Sequence, residues 1–232
     1  MNGSLSRRRL LTLGAQGFTA SFALGACASN PPASPDDPAA LVSSADTTLS
    51  NFLRDPDMTW FRNNLPSARG VLIVPAFVRA GFIFGGGGGN GTLMVHDDSG
   101  NWSYPAFYTV ASGSVGFQAG ASVAEVILMI RSQRGADAML SNSFRLGADA
   151  SVAAGPVGTG AQVQTSDILA FSRSRGFFGG VSLDGSVIAP RDAWNSTFYG
   201  RQVRPVDILV SRNVSNPQAD GLRNRLSSNI QS

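Results

Sequence analysis

Apolar residues recur at helical spacing through Leu41, Val42, Ala45, Leu49 and Phe52-Leu53, the stripe of an amphipathic helix. Asp37-Pro38 supplies its start, a capping carboxylate followed by proline at the first helical position. Asp55-Pro56 breaks the helix, and Asp57 is placed to cap a short second one carrying Trp60, Phe61 and Leu65. The polar face of these stretches lacks the basic residues of a membrane-surface helix, so the stripe is read as packing on the domain's own core. From Gly70 the period changes to that of strands. "GVLIVP" is a short apolar run ended by Pro75, and "FVRAGFIF" reads as a second strand. "GTLMVH" and "WSYPAFYTV" flank the turn "DDSGN" as a hairpin. "GSVGFQAG" reads as another strand, and "AEVILMI" as a buried one leading into a short helix within "RSQRGADAMLS". "FRLGADASV" alternates, with Phe144, Leu146, Ala148, Ala150 and Val152 on one face. "GPVGTG" turns the chain, and "DILAFSRSRGFFGGVSLDGSVI" reads as two strands folded about Arg175-Gly176. A helical turn over 195–200 and a weak terminal helix over 217–226 complete one α+β domain.

Five consecutive glycines and Asn90-Gly91 interrupt this pattern in "GFIFGGGGGNGTLMV". Gly86, Gly88 and Gly91 satisfy a G-x-G-x-x-G spacing, but a phosphate-binding loop needs a helix behind it. Here Thr92, Leu93, Met94 and Val95 follow as a strand, and no Gly-Lys-Ser/Thr is present. The run reads instead as a device for sharp bending or close backbone approach. Asn90-Gly91 is suited to the positive φ of a tight turn.

The chain carries a formal charge of +3, which at first suggests an acidic partner. Arg7, Arg8 and Arg9 account for all of it, and residues 1–26 contain no acid. Without them the remaining arginines and acids balance, so the charge gives no argument for nucleic acid or an anionic membrane. Residues 1–26 read as an export signal of the twin-arginine type, with Arg7 and Arg8 ahead of a weakly apolar run. That run is too short and polar to span a bilayer comfortably. It ends in Leu24-Gly25-Ala26-Cys27, which resembles the lipobox of bacterial lipoproteins, in which small residues fit the peptidase cleft and the cysteine thiol takes diacylglycerol. Cys27 is the only cysteine, which also means no internal disulfide. The proline-rich segment over 27–38 reads as a tether between that anchor and a domain over 39–232. These features predict a palmitate-bearing lipoprotein of the bacterial envelope, on the periplasmic face of the outer membrane.

Several long blocks together resemble the SYLF domain family: "GVLIVPAFVRAGFIFGGGGGNG", "WSYPAFYTVASGSVGFQAG", "FRLGADASVAAGPVG", "SRSRGFFGGVSLDGSVI" and "NSTFYG". The resemblance implies an α+β fold, a strongly curved antiparallel sheet or partial barrel flanked by short helices, with the amphipathic helix at its N-terminus. It also implies lipid binding. Eukaryotic members bind phosphoinositide membranes, some with actin, and carry SH3 or FYVE modules that this sequence lacks. A neutral mature chain with scattered arginines argues against phosphoinositides, and a bacterial envelope argues against both phosphoinositides and actin.

The remaining chemistry is sparse. "SGSVG" nearly matches a nucleophile elbow at Ser114, and His96 is the only imidazole that could serve it, giving a serine hydrolase as one reading. Asp97 and Asp98 offer at most a weak Ca²⁺ site, and no metal or cofactor is expected. Glu125, the only glutamate, opens an apolar strand and is expected to be held by an arginine. Arg79, Phe82, Phe84, Arg173 and Arg175 combine cationic and aromatic groups suited to lipid headgroups and acyl chains. The sequence therefore points to a non-catalytic, lipid-associated protein, with an interaction scaffold for envelope proteins as the alternative.

Overall fold

The computed structural model describes residues 37–81, 84–115, 120–155, 165–175 and 183–229. Residues 1–36, with the export signal, lipobox and most of the tether, lie outside the described residues, as does Phe82. Helix α1 runs Pro38–Arg54, and the Asp37 carboxylate accepts the Ala39 N–H at 2.9 Å. Its buried stripe is Val42, Ala45, Leu49 and Phe52, the face expected from the spacing. Asp55, rather than Asp57, caps the next turn, accepting the Asp57 N–H at 3.0 Å. Helix α2, Thr59–Asn64, follows and buries Phe61.

The sheet has eight strands: β1 Gly70–Gly81, β2 Phe84–Val95, β3 Ala106–Val115, β4 Gly120–Ile130, β5 Phe144–Arg145, β6 Val152–Ala154, β7 Ile168–Arg175 and β8 Val187–Pro190. Their order is β5-β8-β3-β2-β1-β4-β7-β6, an open, strongly curved half-barrel. All pairs are antiparallel except β6 with β7. Helices α3 (Gln133–Met139), α4 (Asp192–Tyr199), α5 (Pro205–Leu209) and α6 (Asp220–Ser228) surround it. All described residues belong to one compact unit.

Pro75 does not end its strand. It lies where β1 slips register against both neighbours, between Ile73 and Val78 on one side and Val74 and Phe77 on the other. A bulge is where a missing N–H is tolerated, so the two expected strands are one. Asn90-Gly91 is likewise not a turn but continuous strand, paired to Thr109 and Tyr108. The expected strand over 113–120 divides between the end of β3 and the start of β4. "FRLGADASV" is not one strand either: Gly147, at φ 87°, turns the chain, and Ala148 is exposed. The two strands expected to fold about Arg175-Gly176 both form, but β7 pairs β4 and β6, whereas β8 pairs β3 and β5.

Strand alternation divides the core into two layers. On the helical face, Val71, Ile73, Met94, Phe107, Ile127, Met129, Leu169 and Phe171 pack beneath α1, α2, α4 and α6. On the opposite face, Leu72, Val74, Phe77, Leu93, Tyr108, Val110, Val126 and Leu128 pack with Met139 of α3 and Ile208 and Leu209 of α5. Two buried polar side chains tie the sheet to its helices. Asn195 accepts the Phe107 N–H at 2.8 Å, and the Tyr108 hydroxyl donates to the Met139 carbonyl at 2.6 Å. Burial pushes the Tyr108 and Tyr199 hydroxyls far above their ordinary pKa, so both are neutral donors throughout the physiological range.

Candidate functional site

Both sheet faces are covered where β1 begins and β2 ends. The other end of the central strands is different. The burial of β1 changes from complete over Gly70 to Val74 to alternating and exposed beyond Pro75. There the ladder partners form one transverse row, Val187–Ala111–Gly88–Val78–Val123, crossing β8, β3, β2, β1 and β4. Ladder partners project to the same side of a sheet. Val78, Val123 and Val187 are 47%, 46% and 37% exposed. A second row, Gly113–Gly86–Ala80–Ala121, carries nothing larger than a methyl group. By alternation along β2 and β4 from Met94 and Ile127, with the β1 bulge bringing Val78 into register with them, both rows lie on the helical face, beyond the cover of the helices.

The glycines of β2 serve this region in two ways. A Cβ at Gly89 would lie 2.5 Å from the Ala76 carbonyl oxygen, and one at Gly91 would lie 2.7 Å from that of Ile73. The bulge carries these carbonyls across β2, so the bare residues opposite are a steric requirement of the curvature. Gly86 meets only the Ser112 carbonyl, at an ordinary 3.6 Å, and Gly113 meets nothing within 4 Å. These two have room for a side chain and leave the exposed face flat.

Of the five residues expected to contact lipid, Arg79 and Arg173 lie on opposite faces of the sheet. Arg79 alternates with Phe77 on the face opposite the helices, where a Cβ at Gly87 would touch both side chains at 2.9 Å. Arg173 alternates with Phe171 on the helical face and is engaged within the protein. Its Nε donates to Asp55 Oδ2 at 2.6 Å and its Nη1 to Glu125 Oε2 at 2.7 Å, with the guanidinium over the Phe52 ring. Glu125 is thus held by an arginine, as expected, and also accepts from Asn51 at 2.8 Å. The Arg173 N–H bond holds the Asp55 carboxyl below its ordinary pKa against the opposing effect of burial. The backbone of Arg175 pairs with Val123 at the end of β7, and Phe84 opens β2 at the same end of the sheet. The valines were not singled out from sequence. Their signal was alternation with small residues, as in Val78-Arg79-Ala80 and Ala121-Ser122-Val123.

The hydrolase pairing fails on geometry. Ser114 pairs with Gly85 at one end of β2, whereas His96 follows its other end. At the usual rise of a strand they are ~30 Å apart. His96 instead stacks near Trp102, with ring centroids 5.0 Å apart. Asp97 is committed to its turn: Oδ1 accepts from the Ser99 and Asn101 N–H groups at 3.0 and 2.8 Å, and Oδ2 is held by Arg212. Burial raises the Asp97 pKa, but those N–H groups and Arg212 outweigh it, leaving the carboxyl below its ordinary value.

A family model described as Las17-binding protein actin regulator, Ysc84, matches residues 111–229. The chain belongs to the Ysc84 family of SYLF domains. It is 31% identical over 166 residues to protein YSC84 of Saccharomyces cerevisiae, covering 68% of this chain and 35% of that protein. LAS seventeen-binding protein 3 of the same yeast is 33% identical over 169 residues, covering 68% of this chain and 36% of its own length. The human SH3 domain-containing YSC84-like protein 1 is 30% identical over 173 residues, covering 72% of this chain and 50% of its own length. The chain thus spans a third to a half of the length of these curated relatives. No solved structure matches it. Within this SYLF domain the glycine-rich strand and its bare surroundings are one continuous structural unit.

Proposed function

We propose that this SYLF domain is a non-catalytic, membrane-associated module, with the uncovered end of its sheet as the lipid-facing surface. The observation carrying the reading is the transverse valine row. Elsewhere this sheet buries its large apolar residues on both faces, whereas here they stand against solvent on a flat field of glycine and alanine. An uncovered apolar face of this kind marks a site of contact with a membrane or partner. Cys27 supports a second attachment: as a lipidated first residue it would hold the chain in a bacterial envelope, with the tether leading to α1. Several acyl chains anchor a protein firmly where one does so only marginally. Export, lipidation and outer-membrane placement belong to this proposal and rest on the sequence pattern of residues 1–38.

Flotation with liposomes of bacterial lipids tests the surface. A chain lacking residues 1–27 should float at low salt, and Val78→Asp with Val123→Asp should abolish flotation while circular dichroism stays native. A folded domain that never floats would sink the lipid-binding reading.

A second reading, an interaction scaffold, is favoured by the flat Gly86 and Gly113 surface, which lets another backbone approach closely. The family's description as Las17-binding and the yeast relative's name, LAS seventeen-binding protein 3, concern a protein partner and lend it support. Crosslinking in cells to discrete proteins, unchanged by delipidation, would favour it.

A further inference from the structure

At the opposite end of β2 from the bare surface, a cleft of about 390 Å³ opens between residues 102–104, the loop over 212–215 and Arg223 of α6. Its size falls within the range of small-molecule sites, roughly 300–1,000 Å³. One wall is aromatic: Tyr104 and the fully buried Trp102, with Val214 lining the loop side. The Trp102 indole N–H has no hydrogen-bond acceptor among the described residues. Two guanidiniums reach the same cleft. Arg212 is matched by Asp97 and also donates to the Asn101 carbonyl at 3.2 Å. Arg223 donates through Nε to the Trp102 carbonyl at 2.7 Å and lies over the Tyr104 ring, 4.9 Å from its centroid. No carboxylate is within ion-pair distance of Arg223 among the described residues, and nearby Asp220 accepts instead from the Tyr104 hydroxyl at 2.8 Å. Arg212 is also the one described non-glycine residue with positive φ, 51°. Such backbone conformations persist where surrounding structure enforces them, and they cluster at ligand sites.

We propose that this cleft binds a small organic monocarboxylate with an apolar body. Arg212 is ion-paired with Asp97, whereas Arg223 has no ion-pair partner among the described residues, so a single carboxylate is what the remaining guanidinium can match. A guanidinium fork matches the two oxygens of a carboxylate. Tyr104 and Val214 suit a flat or apolar body, and the buried Trp102 indole N–H, which has no acceptor among the described residues, lies beside them. This site is separate from the valine row and does not depend on the membrane reading.

Benzoate titrated into the full-length chain in detergent, followed by the indole N–H resonances, tests the proposal. The Trp102 signal, assigned by its loss in Trp102→Phe, should shift saturably. Arg223→Gln should weaken binding about tenfold or more, the scale of a lost charge-assisted hydrogen bond. Val214→Trp, which fills the cleft from the opposite wall with Arg223 intact, should abolish the shift and serves if the arginine variant misfolds. A Trp102 signal that does not move saturably, or affinity unchanged in both variants, overturns the site. Inorganic phosphate binding as tightly as benzoate overturns the monocarboxylate assignment.

Discussion

Gly89 and Gly86 look equivalent in sequence and are opposite in consequence. At Gly89 a methyl group would collide with a carbonyl oxygen that belongs to the bulge, so the ladder itself must move. At Gly86 the nearest atom stands at ordinary contact distance. Alanine at Gly89 or Gly91 should therefore cost about 1–3 kcal/mol, as overpacking does. Alanine at Gly86 or Gly113 should be neutral or stabilising by up to ~1 kcal/mol, because it restricts the unfolded chain. Urea denaturation of the four variants measures this, and equal losses at all four would contradict the division. If the membrane reading holds, Gly86→Ala should leave the apolar character of the face intact and flotation with it.

The cluster of Arg173, Asp55 and Glu125 joins the end of α1 to β4 and β7, bridging a helix and two strands through one guanidinium. Arg173→Met leaves two carboxylates half-buried without their cation and should lower stability by about 1–3 kcal/mol, less than for a fully buried pair because the site is partly screened. A double-mutant cycle with Asp55→Asn should show coupling, and additive effects would deny the bridge. Acid acts through the same kind of contact. Hydrogen bonds from Ser132 and then Ser151 hold Asp167 below the ordinary 3.8, as Arg173 does for Asp55. A carboxyl whose pKa is lower folded than unfolded contributes stability above its unfolded pKa and loses it as pH falls through the folded one. Stability should thus decline on acidification below pH ~4, and Asp167→Asn should flatten that decline in urea midpoints taken on either side of it.

Elements with local signals were legible in the sequence. The Asp37-Pro38 cap and apolar stripe located α1, and "DDSGN" located the β2–β3 turn, closed by the Gly100 N–H donating to the Asp97 carbonyl at 3.1 Å. Elements whose form depends on partners were not. Pro75 carries a terminator's chemistry, and only the neighbouring ladders make it a bulge. The residues of β7 and β8 are close in sequence, yet each finds its partners in other strands. The site was half legible for the same reason. Alternation along one strand fixes relative facing, but placing Arg79 and Arg173 on opposite faces requires the register across three strands, β1, β4 and β7. The cleft could not be read at all, since its walls come from three segments that only the fold brings together.

For the molecule as a whole, the proposed attachment at Cys27 and the proposed lipid-facing surface at Val78 and Val123 make separable predictions. Replacing Cys27 with alanine should shift the protein from the membrane to the soluble fraction at high salt, while the domain's stability stays unchanged; persistent attachment would contradict the lipobox reading. The helices also tie the chain's two extremes together. Arg225 of α6 grips Asp46 of α1 with a two-pronged fork, Nε at 2.6 Å and Nη2 at 2.9 Å, and Leu222 and Leu226 share one core layer with Leu49 and Phe52. Helix α1, the first of the described helices along the chain, is therefore fully covered only when α6, the last of them, has docked. A chain that stops short of α6 leaves that apolar flank of α1 open, so the domain locks shut only when its first and last described helices are both present.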